Sequence, residues 1–232
     1  CNMKALKLLC AILGITALHS AHADFIGLKG SIDYWQYNAD LSYPQHNPSQ
    51  SELDDDRGLA FSAAIEHPVP FLPNVKIKHI NLQAESAESF SDVHRNQLDI
   101  NYSDFILYYE ILDNIINADV GAGVKSIEGD IRHNYTFTQD ISETLPMLYA
   151  QAGVKLPLTG LSANAEVSVA GLNHEQVTDA QAELKYNFID SVLVDVGAKI
   201  GYRILDIQLK KDSDDEAKLK FKGPYLGVEA HF

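Results

Sequence analysis

The stretch VLVDVGAKIGYRI, residues Val192–Ile204, alternates between apolar and other side chains over most of its length. One set of alternate positions is entirely apolar or aromatic and consists of Val192, Val194, Val196, Ala198, Ile200, Tyr202 and Ile204. A period of two indicates a β-strand with one apolar face. Similar alternation recurs along almost the whole chain after residue 24, and no window of comparable quality has helical period. The sequence therefore predicts an all-β protein.

The alternating segments define about ten predicted strands, at 25–37, 58–67, 75–86, 96–110, 117–128, 145–156, 162–170, 179–188, 192–206 and 217–232. Most are close to the roughly 9–11 residues with which a tilted strand crosses a bilayer. The connections after odd-numbered strands are 20, 9, 16, 8 and 10 residues long, and those after even-numbered strands are 7, 6, 5 and 3. Short turns at one end and longer loops at the other are typical of outer-membrane barrels. We therefore predict an up-and-down antiparallel transmembrane β-barrel at 24–232, with an eight-stranded barrel as the alternative if 75–86 and 145–156 are irregular.

The beginning of the chain has the features of a secretory signal peptide, predicted at 3–23. Lys4 and Lys7 form a basic segment, Leu8–Leu18 a short apolar one, and Ala21–Ala23 an A-x-A cleavage site. Cleavage removes both cysteines, so the mature chain has no disulfide, and leaves 16 basic against 32 acidic residues. Such an acidic chain would repel the phosphates of nucleic acid. No apolar run after residue 23 approaches the roughly 18 residues of a transmembrane helix.

Alternation alone does not determine which face meets lipid. A lipocalin-type barrel surrounds a ligand with its apolar face, whereas a membrane barrel has that face outside. The polar faces mix both signs at short separations, as in Lys29 with Asp33 and Glu183 with Lys185, which suits a lumen where charges are paired or hydrated. The signal peptide and the loop lengths then favour lipid outside, with charged side chains filling the lumen.

Aromatic residues near the predicted strand ends form two groups. Membrane barrels have aromatic girdles at both lipid–water interfaces. The predicted outer girdle contains Tyr34, Tyr202 and Phe221, and the predicted periplasmic girdle contains Phe25, Tyr186, Phe188 and Phe232.

Two predicted strands interrupt the alternation. In QLDINYSDFILYYE the apolar positions are even-numbered up to Tyr102 and odd-numbered from Phe105 onwards. The first phase, if continued, would place Asp104 in lipid, so we predict a β-bulge at Ser103–Asp104. A second bulge is predicted at Gly223–Pro224, because proline cannot donate to a sheet ladder.

The C-terminal residues YLGVEAHF resemble the insertion signal of Gram-negative outer-membrane proteins, with Gly227 followed by Val228, Ala230 and Phe232. Two further stretches, EHPVPFLPNVKI (Glu66–Ile77) and YYEILDN (Tyr108–Asn114), are similar to segments of a family of small proteobacterial outer-membrane β-barrel proteins with no assigned function. The resemblance implies this fold and a location in the outer membrane of a Gram-negative bacterium. It brings no catalytic residues.

Four histidines fall in four different predicted outer loops: His46, His94, His133 and His174. Acidic runs lie at the same end, and a converging cluster there could bind a divalent metal ion or supply acid–base groups. However, no H-x-x-x-H or D-x-D-x-D-G spacing supports such a site. We therefore predict no catalytic residue and no cofactor, and keep the four histidines as the metal candidates.

These features predict a monomeric, non-enzymatic surface or structural protein of the outer membrane. Its expected partners are outer-membrane lipids, lipopolysaccharide and, during insertion, the barrel-assembly machinery. Three alternatives stay open: an enzyme with its site at the barrel rim, a narrow channel, and a soluble periplasmic ligand-binding barrel.

Overall fold

The computed structural model describes residues 26–42, 51–52, 56–69, 71–85, 96–133, 137–172, 175–191, 193–212 and 215–232. These ranges contain eleven β-strands, in chain order β1 (Gly27–Ser42), β2 (Ser51–Glu52), β3 (Asp56–Glu66), β4 (Asn74–Glu85), β5 (Asn96–Asp113), β6 (Ile116–His133), β7 (Phe137–Leu156), β8 (Leu161–Leu172), β9 (Glu175–Asp190), β10 (Asp195–Asp212) and β11 (Asp215–His231). The predicted all-β class is confirmed. No helix in these ranges is long and apolar enough to cross a membrane.

The ten longer strands close into an up-and-down antiparallel barrel. Each pairs with the next along the chain, and β11 returns to pair with β1. This closing ladder extends from Lys29 opposite His231 to Ser42 opposite Lys218, so both edges of the sheet are paired. The short β2 pairs only with Asp40 and Leu41 of β1. The ten-stranded prediction is confirmed and the eight-stranded alternative is wrong, because β4 and β7 are regular strands of 12 and 20 residues.

Both ends of the described chain lie at one end of the barrel, which we call the terminal end. The connections 67–73, 114–115, 157–160 and 191–194 lie there as well. At the opposite, distal end the strands are separated by 43–55, 86–95, 134–136, 173–174 and 213–214. The last three intervals are shorter than predicted because the flanking strands extend farther. The predicted difference in connection length therefore holds only for the first two of the distal connections.

The outer surface of the barrel is apolar next to the terminal end. We call this surface the apolar belt, and its large exposed members are Leu28, Ile32, Tyr34, Leu59, Phe61, Ile65, Ile77, Phe105, Leu107, Tyr109, Val120, Val124, Leu148, Val154, Val167, Val169, Leu184, Tyr186, Ile200, Tyr202, Ile204, Leu226 and Val228. In β10 the belt extends from Val196 to Ile204, about 27 Å of strand. Strands in such barrels tilt by about 40°, so the belt is about 20 Å high, close to the roughly 25 Å apolar band of outer-membrane barrels.

The distal half of the barrel has the opposite polarity. Its interior is filled by a cluster of buried side chains: Trp35, Tyr37, Ala39, Ile80, Leu82, Ala84, Leu98, Ile100, Tyr102, Ile127, Ile141, Leu145, Ala170, Val177, Leu205, Ile207, Leu219 and Phe221. Its outward positions are polar and include Gln36, Asp40, Asn81, Gln83, Asp99, Asn101, Glu128, Ser142, Thr144, Asp206, Gln208, Lys220 and Lys222. The apolar face of the sheet therefore changes from outside to inside at mid-height.

This exchange of faces replaces the bulge predicted at Ser103–Asp104, which is wrong. β5 keeps one register with β4 and with β6 through both residues, and its register shift with β6 lies between Glu110 and Leu112. The strand alternates regularly, with Tyr102 and Asp104 buried inside the barrel and Phe105 exposed outside.

The bulge predicted at Gly223–Pro224 is wrong as well. β11 keeps a continuous register with β10 there, and its pairs with β1 have the same register on both sides. Gly223 instead permits close contact between strands, because a Cβ at this position would lie 2.0 Å from the carbonyl oxygen of Gln36.

The aromatic girdles are partly as predicted. Tyr34, Tyr202, Tyr186 and Phe188 lie on the outside of the barrel near the predicted levels. Phe221 does not, because it is fully buried inside the distal half. Phe25 lies outside the described residues.

Candidate functional site: a charged cavity in the barrel lumen

The boundary between the two halves is a layer of buried charges inside the barrel. We call it the central ion-pair layer, and it consists of Lys78, Asp104, Lys125, Glu166, Asp179 and Arg203. These side chains come from six different strands and project inward because they occupy every second position of the sheet. Three are basic and three acidic, so the layer is neutral overall.

One ion pair of this layer is removed from solvent altogether. Lys125 Nζ lies 2.6 and 2.8 Å from the two carboxylate oxygens of Asp104, and both side chains are 0% exposed. The ammonium also lies 3.9 Å from the ring centroid of Tyr102. Buried charges are tolerated only when they are paired and hydrogen-bonded in this way.

A second buried group joins the layer to the distal core. Arg203 donates from Nε to Asp179 at 2.8 Å, and the Tyr102 hydroxyl donates to the other carboxylate oxygen at 2.8 Å. The Arg203 guanidinium lies 5.2 Å from the ring of Trp35. Stacking of a guanidinium on an aromatic face is a favourable way to end a charged layer against an apolar one.

On the terminal side of this layer the lumen contains a cavity of about 900 Å³. Lys78, Glu166 and Arg203 line its inner end, while the turn residues Pro68, Pro157 and Leu158 line it at the terminal rim. The cavity therefore opens toward the terminal end, and the packed distal core closes the lumen on the other side.

Ion pairs line the cavity wall, and several of them join strands that are not neighbours in the sheet. Lys29 bonds to Glu66 at 2.6 Å, Lys185 to Glu229 at 2.6 Å, and Lys199 contacts Asp33 at 3.0 Å and Glu183 at 3.5 Å. Lys76 and Lys78 share the carboxylate of Glu166. The prediction that the mixed charges face the lumen is confirmed by this arrangement.

Four carboxylates that line the wall have no basic group of the described residues within ion-pair distance: Glu110, Asp119, Asp190 and Asp195. Glu110 and Asp119 stand directly opposite each other in the β5–β6 ladder and both line the cavity. Among the described residues, neither has a basic group within ion-pair distance nor a hydrogen-bond partner. Asp119 is nevertheless only 7% exposed.

Glycines on the inward face make room for polar side chains. A Cβ at Gly153 would lie 2.1 Å from Asn164 Oδ1 and 2.3 Å from Asn117 Oδ1, and one at Gly227 would lie 1.9 Å from Asp33 Oδ1. A larger residue at either position would displace these oxygen atoms. Gly227, which the sequence assigned to the insertion signal, is thus also required by the packing of the lumen.

The other predicted site residues are only partly described. Val228 and Phe232 are exposed on the outside of the barrel and Ala230 lies between them on the same face, but their role as an insertion signal stays a prediction. His46, His94 and His174 lie outside the described residues, as does the signal peptide, and His133 is the last residue of β6, whose side chain is not described. Within the described ranges, no group of three or more His, Cys, Asp or Glu side chains could hold a metal ion.

Sequence patterns did not reveal Glu110 and Asp119 as a pair. Alternation in ADVGAGVK places Asp119 on the polar face of its strand, but the ladder that places it opposite Glu110 depends on strand register. The available signal is the YYEILDN segment, since it contains Glu110 and ends in the turn to β6.

No protein-family model matches the sequence, and no curated protein matches it. Solved structures with a similar arrangement include the outer membrane protease OmpT from Escherichia coli, at 6% identity and a TM-score of 0.47 over 89% of this chain and 96% of that one. The translocator domain of the autotransporter NalP from Neisseria meningitidis has 11% identity and a TM-score of 0.43 over 98% and 94%. Neisserial surface protein A has 12% identity and a TM-score of 0.36 over 87% and 95%. These structural neighbours are outer-membrane β-barrel proteins.

Proposed function

We propose that this chain is an integral outer-membrane protein whose terminal half spans the bilayer and whose distal half projects into water on the cell surface. The observation that carries this proposal is the exchange of faces at mid-height. Lipid accounts for an apolar outer surface around a charged lumen, and water accounts for a polar outer surface around an apolar core.

The extent of the apolar belt supports lipid as its partner. Soluble monomers rarely expose a contiguous apolar surface of more than a few hundred Å². Here it surrounds the whole barrel, with Ile200 56% and Leu184 60% exposed. A soluble ligand-binding barrel would have charges outside and apolar side chains inside along its full height, an arrangement found here only in the distal half.

The terminal turns extend the apolar belt. Phe71, Leu158 and Leu193 are at least 83% exposed in three of the four terminal connections. Phe71 and Leu158 have positive φ angles of 68° and 66°, a conformation that costs a non-glycine residue about 1–2 kcal/mol. We assign these side chains to the periplasmic lipid–water interface, where exposed apolar groups are stable.

We further propose a surface or structural role without enzyme activity and without conduction. The distal lumen is packed, with Tyr37, Leu82 and Phe221 fully buried, which supports a barrel that does not conduct. Barrels of this size generally have interiors filled by side chains.

Outer-membrane lipids and lipopolysaccharide are the proposed partners of the belt, and the barrel-assembly machinery is the proposed partner of the C-terminal strand. We propose a monomer, since closure of β11 on β1 pairs both edges of the sheet.

Fractionation combined with heat-modifiability tests the membrane proposal. Cells expressing the protein are separated into periplasm and outer membrane, and the membrane fraction is run unboiled and boiled on a detergent gel. We expect the protein in the outer membrane and a different mobility of the unboiled band. Recovery as a soluble periplasmic protein with one mobility would contradict the proposal.

Single-channel recording in planar bilayers tests the absence of conduction, and discrete current steps would overturn it.

A further inference from the structure

The outer surface at the distal edge of the apolar belt is uneven in charge. On most strands the first outward side chain beyond the belt is uncharged or acidic, as with Gln36 on β1, Ser103 on β5 and Asp206 on β10. Among the described side chains it is a lysine or arginine only on β3 and β11, where it is Arg57 and Lys222. The whole chain has a net charge of −14, so its composition does not explain basic residues gathered at one level.

The two basic strands lie on either side of β1. Arg57 is opposite Gln36 of β1 and Lys222 is opposite Asn38, so two strand spacings and two residues separate them, or about 12 Å between Cα atoms. Lys220 occupies the next outward position of β11, about 7 Å from Lys222. We call Arg57, Lys220 and Lys222 the basic rim.

The positive charge of the basic rim is only partly neutralised. Arg57 and Lys220 have no carboxylate of the described residues within ion-pair distance, although Asp40 and Asp206 lie opposite Lys220 on the neighbouring strands. Lys222 contacts Asp40 at 3.2 Å, and these side chains are 43% and 35% exposed. Exposed ion pairs are weak, so an external phosphate can replace this carboxylate as the partner of Lys222.

The level of the basic rim on the barrel indicates which anion it meets. Lys222 lies opposite Ile204, the last apolar outward residue of β10, and Arg57 follows Leu59, the last of β3. When the belt spans the hydrocarbon core, as proposed above, the rim lies at the headgroups of the outer leaflet, where basic side chains meet lipid phosphates. That leaflet consists mainly of lipopolysaccharide, whose lipid anchor carries phosphate groups.

We infer that the basic rim binds the phosphates of a lipopolysaccharide molecule that lies against β3, β1 and β11. The planar guanidinium of Arg57 can donate two parallel N–H bonds to one phosphate, and the ammonium groups of Lys220 and Lys222 supply further charge. The acyl chains of the same molecule then cover belt side chains of these strands, such as Tyr34 and Leu59. This inference rests on the proposed membrane location and orientation.

Native mass spectrometry of the folded barrel in detergent, titrated with purified lipid A, tests the site, because lipid A is the phosphorylated anchor of lipopolysaccharide. We expect one bound lipid A, and at least tenfold weaker binding of its dephosphorylated form. The triple variant Arg57→Gln, Lys220→Gln, Lys222→Gln should weaken lipid A binding at least tenfold. Lys155→Gln is the matched control, because Lys155 is a 62% exposed lysine at the terminal end, and it should leave the affinity unchanged.

The inference is overturned by no binding of lipid A, by equal binding of its dephosphorylated form, by unchanged affinity in the triple variant, or by an equal loss in Lys155→Gln. Displacement of lipid A by phosphatidylglycerol or inorganic phosphate at equal concentration would also overturn it, since the site would then accept any phosphate. The unboiled mobility of each variant shows that it is folded. Because the titration uses detergent-solubilised protein, its failure leaves the membrane location standing, and a soluble location would be detected by fractionation instead.

Discussion

The two halves of this barrel are built from the same ten strands but have opposite polarity. In the terminal half, apolar side chains such as Ile200 face outward and charges such as Lys199 face the lumen. Farther along the same strand, Leu205 is buried inside and Gln208 lies on the outer face. Strand alternation therefore specifies two faces, while the surroundings of each segment decide which of them is apolar.

The comparison also separates two sources of stability. The distal half has an interior like that of a soluble protein, where Trp35, Tyr37 and Phe221 pack ring against ring at centroid distances of 4.9 and 5.5 Å. The terminal half contains a cavity and paired charges instead, and its large apolar side chains mostly face outward, although Ile106 and Tyr108 are buried inside. Burial of apolar side chains inside the barrel therefore stabilises mainly the distal half.

The largest expected effect lies at the boundary between the halves. Lys125→Met leaves the carboxylate of Asp104 buried without a partner, and removing one member of a buried pair costs about 3–5 kcal/mol. The free energy of unfolding should fall by this amount in urea titrations of the barrel in lipid vesicles, followed by the fluorescence of Trp35, the single tryptophan.

The double variant Lys125→Met with Asp104→Leu is the control for this prediction. Replacing both members of a buried ion pair by apolar groups is often neutral or stabilising, so most of the lost stability should return. A double variant as unstable as Lys125→Met would show that the layer contributes through something other than charge pairing.

A second prediction compares apolar truncations in the two halves. Phe221→Ala in the distal core leaves a cavity and should cost about 3–5 kcal/mol. Ile200→Ala in the apolar belt should cost at most roughly 2 kcal/mol, because lipid fills the space and only the transfer of the lost methyl groups counts. Equal losses in vesicle-based urea titrations would mean that Ile200 packs against protein and not lipid.

A third prediction places the same charge on the two outer surfaces of β10. Ile200→Lys introduces an ammonium into the apolar belt and should destabilise the inserted barrel by about 2–4 kcal/mol. Gln208→Lys occupies the same face eight residues farther along the strand and should change stability by no more than about 0.5 kcal/mol. The measurement is again urea unfolding in vesicles, and a similar penalty at both positions would place the distal half in lipid too.

The fold could be predicted in most respects because period-two alternation and turn residues are local signals. The ten strands lie within a few residues of their predicted positions near the terminal end, where turns such as 157–160 are short. Most strands extend farther into the distal half than predicted, because polar outward residues such as Ser142 and Gln208 resemble loop residues when lipid is assumed outside; the distal ends of β4 and β5 lie within one residue of the prediction.

The charged cavity could not be predicted to the same extent. The sequence indicates that Lys125 and Asp104 are polar residues on strands, but only the ladder between β5 and β6 places them opposite each other. The phase change after Tyr102 reflects the exchange of faces, and it predicts a bulge only if one polarity is assumed for the whole strand. Pairing and register are long-range properties, which alternation does not encode.

The smallest expected effect concerns an ion pair on the outside of the distal half. Lys222 lies 3.2 Å from Asp40, with side chains 43% and 35% exposed, on the same sheet as the fully buried pair of Lys125 and Asp104. If water surrounds this surface, Lys222→Met should cost no more than about 1 kcal/mol, and the effect should shrink as salt is added. The two lysine-to-methionine variants, measured in the same vesicles, thus compare one substitution in two surroundings. Suppose instead that Lys222→Met lowers the free energy of unfolding as much as Lys125→Met does, and that salt does not change this loss. The distal surface would then be shielded from water, and a boundary between lipid and water could not explain the exchange of faces.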